Sequence, residues 1–441
     1  MQKILFTFFI FLFLQQTVFA DTPINYYVSP DGDDSNSCTE ASHPCRTIKA
    51  AVDKAVPVAS INIAKGIYEE EPMMVNNEKT YFEGGWNRDF SRQTCSPTGT
   101  VMETGHSTPY PGFLNYDGNS LSDHVEISLH CLTLAETTAG NIDKAINIII
   151  GNKIVLIDFD HVHVYGFKNN ALYAESRDGG KISATLTHST FDNNPAQDGV
   201  LCLVPKTGGM IKLNIDHVLI TNNGTNTGRN YVVCINSSGT GKMTTSIQNS
   251  IIAGNQVNDI AAIDILTLHD SNSVFTMIDT TVVNNSSVAL AVSAYDNSHN
   301  NSSLQNNILL LHTPSDDAIY LYQNDQSWIT LNSNYSIVGN HREFGDHSHL
   351  SYHSSHEIHE DPLLNTAYHL KKGSPAIDAG ICGTWTNNGG ILTYERIAPL
   401  DDIDGDKRPG FGKFLGCDIG ADEFKPFSWP MFLPAITIKT N

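Results

Sequence analysis

Between about residue 129 and residue 340 the chain repeats one hydrophobic and polar phrase. An apolar residue is followed by a polar or His/Asp pair, a short β-branched run, and then Asn or Gly-Asn. The phrase returns as Leu186-Thr187-His188, Ile215-Asp216-His217, Ile247-Gln248-Asn249, Ile278-Asp279-Thr280, Leu304-Gln305-Asn306 and Leu331-Asn332-Ser333. With Leu129 and Phe159 as earlier anchors, the interval is 26 to 32 residues, about 29 on average. A fixed period of this size marks a solenoid, whose units bury their apolar face only against a neighbour. The runs are rich in Ile, Val, Leu and Thr, as in Val218 to Thr221, Ile251 to Ala253 and Thr281 to Val283. They therefore predict short strands, not helix pairs. Asn193-Asn194, Asn222-Asn223, Gly254-Asn255 and Asn284-Asn285 close them. Asn tolerates left-handed backbone and suits a tight corner met once per coil, where stacked amides form a ladder. The pattern predicts an all-β fold, a right-handed parallel β-helix with Leu186, Ile215, Ile247 and Ile278 stacked in register.

The ends break this period. Thr47 suits the N-cap of a helix through Ala55 whose face is Ile48, Ala51, Val52 and Ala55, a short N-terminal cap near residues 46–56 that covers the first open edge. Pro375, Gly380, Gly389-Gly390 and Pro409 make residues 361–424 a loop-rich C-terminal cap to a β-helix over 21–360, with a tail at 425–441. Residues 1–20 read as an export signal: Lys3, an apolar core from Ile4 to Leu14, and Val18-Phe19-Ala20 before the cut. No run is long enough for a transmembrane helix. The expected location is secreted or at the cell surface.

Charge narrows the partners. With 26 Lys and Arg against 47 Asp and Glu, the formal net charge is −21. Nucleic acid and anionic membrane surfaces demand a basic face and are excluded. Cations and neutral glycans are compatible, and solubility alone accounts for the charge.

Eight cysteines in an exported chain imply four disulfides. The neighbours are Cys38 with Cys45, Cys95 with Cys131, Cys202 with Cys234, and Cys382 with Cys417. The second and third pairs are about one coil apart. Two sets of residues bear on metals. Asp402, Asp404 and Asp406 alternate around Gly405, an arrangement for structural calcium or, alternatively, for turn capping. An EF-hand Glu is missing, because Lys413 holds that place. Seven of the 18 histidines lie between His341 and His369, either as a solvated insertion or as ligands for zinc or another transition metal.

Two sets of terminal phrases carry a family resemblance. Tyr26-Tyr-Val-Ser-Pro-Asp-Gly32, Pro44-Cys-Arg-Thr-Ile-Lys-Ala-Ala-Val52, Ile61 to Glu69 and Gly84-Gly-Trp-Asn87 resemble the first coils of secreted bacterial β-helix proteins. Ser374-Pro-Ala-Ile-Asp-Ala-Gly380, Asp402 to Pro409 and Asp418 to Glu423 are similar to the closing signature of the choice-of-anchor Q family. The resemblance implies a pectate-lyase-like shape and the same N-terminal cap. It also raises the tail, Trp429 to Ile436, as an anchoring feature, with packing on the last coil as the alternative.

Enzymes of this shape act on polysaccharides. Hydrolases among them use clustered carboxylates, for which Asp316-Asp317, Asp160-His161 and Asp216-His217 are the candidates. The first lacks the accompanying polygalacturonase phrases, and the Asp-His pairs occupy a repeat position shared with Gln248-Asn249. A lyase base of Arg type is scarce, since Arg177 and Arg229 are the only two between Phe159 and Leu331. No catalytic residue is assigned. The expected role is a non-catalytic scaffold for adhesion or polysaccharide binding, and the alternative is a polysaccharide lyase or glycoside hydrolase acting on acidic polysaccharide.

Overall fold

The computed structural model describes residues 22–425 apart from 105–110, 117, 119–121, 138–141, 226–230, 259, 389–390 and 410–415. The expected export signal and nearly all of the tail lie outside the described residues. The chain winds as a parallel β-helix. A typical coil has a seven-residue strand such as Met210–Asp216, a short one such as Leu219–Thr221, and a third such as Val233–Ser237. The first two kinds join coil to coil in one continuous sheet, and the third kind forms a second sheet running from Met73–Met74 to Asn340–Gly345. Pairing between successive coils is parallel throughout both sheets. Side chains alternate along each long strand, so Ile211, Leu213 and Ile215 enter the core while Lys212 and Asn214 face out.

Three of the four expected anchors stack as expected: Phe159 on Leu129, Leu186 on Phe159, Ile215 on Leu186, and Ile247 on Ile215. The fourth is corrected. Met277, not Ile278, pairs with Ile247 and is fully buried, while Ile278 pairs with Gln248 and turns outward. A one-residue slip in a strand exchanges its two faces, and the longer methionine supplies the inward knob. Leu331 is also inward but pairs with Ser302, leaving Ser333 on Leu304.

The Asn ladder is present. Asn194, Asn223, Asn255 and Asn285 are buried, and each amide Nδ2 of the first three donates to the Oδ1 of the next at 2.9–3.0 Å. The residue before each takes positive φ: Asn193 51°, Asn222 56°, Gly254 67° and Asn284 54°. The N-terminal helix spans Ile48–Lys54, with the Thr47 hydroxyl accepting from the Ala50 N–H. Glu70, buried, accepts from the Ile48 and Lys49 amides at the same end. No described helix is long and apolar enough to cross a membrane.

The parallel coils end at Leu350–Ser355. The C-terminal segment does not merely close the end. It folds back along the short-strand face, where Leu370, Ala376, Ile419 and Ala421 cover Ile251, Val283, Ile308 and Ile337. Asn306 receives the Ile381 amide at 2.9 Å and donates to its carbonyl at 2.8 Å, and the Ala421 amide donates to Thr281 Oγ1 at 3.0 Å. Arg408, fully buried, lies 3.4 Å from Asp279 and 3.3 Å from Glu423.

Candidate binding cleft

The corner after each long strand places one residue in the left-handed region, and these residues form a column. It runs Cys131, His161, His188, His217, Asn249, Asp279 and Asn306, with φ between 46° and 56°. Asn, Asp and His are enriched in that conformation, which explains their presence at this step of the repeat. His161 and His188 stack at 4.9 Å, and His188 and His217 at 5.0 Å. From Asn249 onward the column is buried beneath the C-terminal segment. A cleft of about 590 Å³ opens where the column emerges. One wall is His161, His188, His217 and Leu219, and the other is Thr366 to His369 with Ile403 and Asp404.

Carboxylates organise the imidazoles. Nδ1 of His161 and of His188 lie 2.9 and 3.0 Å from the same oxygen, Asp160 Oδ1. Burial pushes Asp160 up, but hydrogen bonds from His188 and Thr187 outweigh it and hold its pKa below the ordinary value. His217 sits between Asp216, 2.8 Å from Nδ1, and Asp401, 3.6 Å from Nε2. Burial opposes its protonation, yet the Asp216 hydrogen bond and both charges raise its pKa. His130 bonds Glu83 at 2.8 Å, which raises its pKa against the effect of burial. Among the described residues no Lys or Arg lines the cleft.

The residues singled out in the sequence fall as follows. Asp160-His161 and Asp216-His217 occupy equivalent repeat positions and both border the cleft region. Asp316 and Asp317 lie elsewhere: Asp316 caps a turn at Thr313, and Asp317 pairs with Arg342. Asp402, Asp404 and Asp406 are adjacent but turn to different partners. Asp402 is buried and accepts the amides of Asp404, Asp406 and Glu423, whereas Asp404 meets His369 at 3.0 Å and Asp406 meets Lys425.

The histidine-rich stretch is dispersed. His349 packs on Trp328, His356 on Tyr335 and His341 on Tyr352, and only His369 reaches the cleft. Disulfides join Cys38 to Cys45, Cys95 to Cys131, and Cys382 to Cys417. The fourth expected pair is not bonded in this structure. Cys202 and Cys234 are buried thiols in register on adjacent strands, sulfurs 2.9 Å apart. Sequence reasoning missed His369 and Tyr368 as the wall facing the histidine column, and Asp422 as a neighbour of His369. The available signal was the short strands Ile251–Ala253 and Thr281–Val283, without a charged residue and buried on both faces, which call for a cover.

No family model matches the chain, and no curated protein matches it. Among solved structures the chain is similar to the pectate lyase Pel9A, at 14% identity and TM-score 0.35, with 91% of this chain and 96% of that one covered. The complex of XylC with xylose aligns at 9% identity and TM-score 0.32, covering 90% and 98% of the two chains. A rhamnogalacturonan lyase aligns at 12% identity and TM-score 0.31, covering 76% and 87%. The chain's own strand pairing makes it a parallel β-helix.

Proposed function

We propose that the protein is an exported, extracellular or cell-surface β-helix protein that binds polysaccharide in the cleft between the histidine column and the C-terminal segment. The terminal phrases that resemble the choice-of-anchor Q family support the surface location. The carrying observation is the cleft itself: the Tyr368 ring gives a flat face for a sugar ring, the column of stacked imidazoles gives ring edges, and Thr221, Asn222 and Asp404 give polar groups at its rim. The carboxylates along the column and a net charge of −21 favour neutral sugars over uronates near pH 7.

Calorimetry against neutral and acidic oligosaccharides tests this. Neutral oligosaccharide should bind, and Tyr368→Ala or His188→Ala should weaken binding about tenfold, ~1.4 kcal/mol, through lost ring packing in the first and a lost ring-edge hydrogen bond in the second. Affinity unchanged in both variants would remove the cleft from the reading. A lyase or hydrolase remains the second reading, favoured by His217 held between Asp216 and Asp401 at the cleft. Unsaturated or reducing-end products that disappear in His217→Gln would establish it in place of simple binding.

A further inference from the structure

We propose that His369, Asp404 and Asp422 hold a divalent transition-metal ion at the edge of the cleft, with zinc as the test ion. The inference is independent of whether the cleft takes a sugar. One ligand atom from each of the three side chains lies within 4.8 Å of the others. Bonds of ~2.1 Å to one ion bring such atoms to ~3.5 Å, a small side-chain adjustment away.

The ring nitrogen carries the second observation. His369 Nε2 is shielded from solvent and makes no hydrogen bond, although Asp404 Oδ2 is only 3.0 Å away. The two atoms face each other without the alignment that a hydrogen bond needs. A buried polar atom left in this way is costly. An ion between nitrogen and oxygen satisfies both. Asp422 is 8% exposed and shares the site.

The main chain at His369 and Asp404 is held by side chains, and the Asp422 carboxylate by a backbone amide. The Asn365 side chain accepts the His369 amide at 3.1 Å, Asp422 Oδ2 accepts the Leu370 amide at 2.7 Å, and Asp402 Oδ1 accepts the Asp404 amide at 3.0 Å. A bond of the Asp422 kind, made to the ligating carboxylate itself, tunes metal affinity. One imidazole with two carboxylates suits zinc or a similar ion better than calcium, which takes oxygen alone. His369 and Asp404 line the cleft, so the site borders it.

Competing clusters lack these features. Asp160 Oδ1 is already occupied by His161 and His188, and the Cys95 sulfur beside His130 and His161 is in a disulfide.

The test is zinc calorimetry on the full chain after chelator treatment, with cobalt absorption spectra as an independent readout and no sugar present. We expect one saturable ion per chain, a cobalt spectrum with nitrogen ligation, and about tenfold or greater weakening in His369→Ala and in Asp404→Asn. Circular dichroism identifies any variant that has lost its fold; the other variant then carries the comparison. The triple variant His349→Ala, His353→Ala, His356→Ala should bind as the parent does. Absence of saturable zinc in the parent protein overturns the proposal. So does loss of binding in the triple variant alone, or a preference for calcium that depends on Asp404 but not His369. Sugar binding is measured separately, so failure of either conclusion is visible without the other.

Discussion

At the scale of single residues, the corners hold the coils in place through fully used polar groups. Asn223 Oδ1 accepts both the amide and the Nδ2 of Asn194, while its own Nδ2 donates to Phe191 O and Asn255 Oδ1. Asn223→Ala removes one rung and strands buried partners on two coils. The expected loss is about 2–4 kcal/mol in denaturant unfolding, because each orphaned buried group costs about 1–3 kcal/mol. A loss below about 1 kcal/mol would mean that water replaces the rung. His130 adds a pH dependence of known sign. Its pKa is raised by the Glu83 hydrogen bond, with burial opposing. The stability it contributes is therefore complete below the unfolded value of about 6.5 and is lost as pH rises through the folded value. Thermal midpoints should fall over that interval, and His130→Gln should flatten part of the slope; identical slopes would show that the Glu83 contact carries no linkage.

At the scale of strands, face matters more than composition. Met277 and Ile278 are both large and apolar, yet only Met277 lies in the core. Met277→Ala should cost about 2–5 kcal/mol through lost burial and a cavity. Ile278→Ala should cost about 1 kcal/mol or less. Reversed magnitudes in parallel urea titrations would restore the register expected from the repeated phrase. The phrase located each strand but not its phase here, because Ile278-Asp279 imitates Ile215-Asp216 one residue out of step.

At the scale of the whole molecule, the C-terminal segment is locked to the flank of the coils by a buried ion pair as well as by apolar contact. Burial drives the Asp279 pKa up to about 7 despite the nearby Arg408 charge. Arg408→Met leaves that carboxyl without its counterion and should cost about 3–5 kcal/mol. It should expose residues 361–424 to limited proteolysis while the coils stay resistant. Adding Asp279→Asn should recover part of the loss, since it removes one of the two buried carboxylates, Asp279 and Glu423, that Arg408 faces. Equal cleavage of parent and Arg408→Met protein would show that apolar burial alone docks the segment.

The amino-acid sequence by itself determined the coil period, the Asn corners, the helix after Thr47 and three neighbouring cysteine pairs. These depend on local backbone preference and on repetition, which are visible within one or two coils. Only the tertiary structure decided the phase at Met277, the thiols of Cys202 and Cys234, the fold-back of the C-terminal segment, and the meeting of His369, Asp404 and Asp422. Contacts that seat that segment join residues 75 and 140 positions apart, as in Asn306 with Ile381 and Thr281 with Ala421. Such contacts carry no period. They arise because Ile251, Ala253, Val283, Ile308 and Ile337 on the outer coil face need cover, and the segment that supplies it also forms the second wall of the cleft.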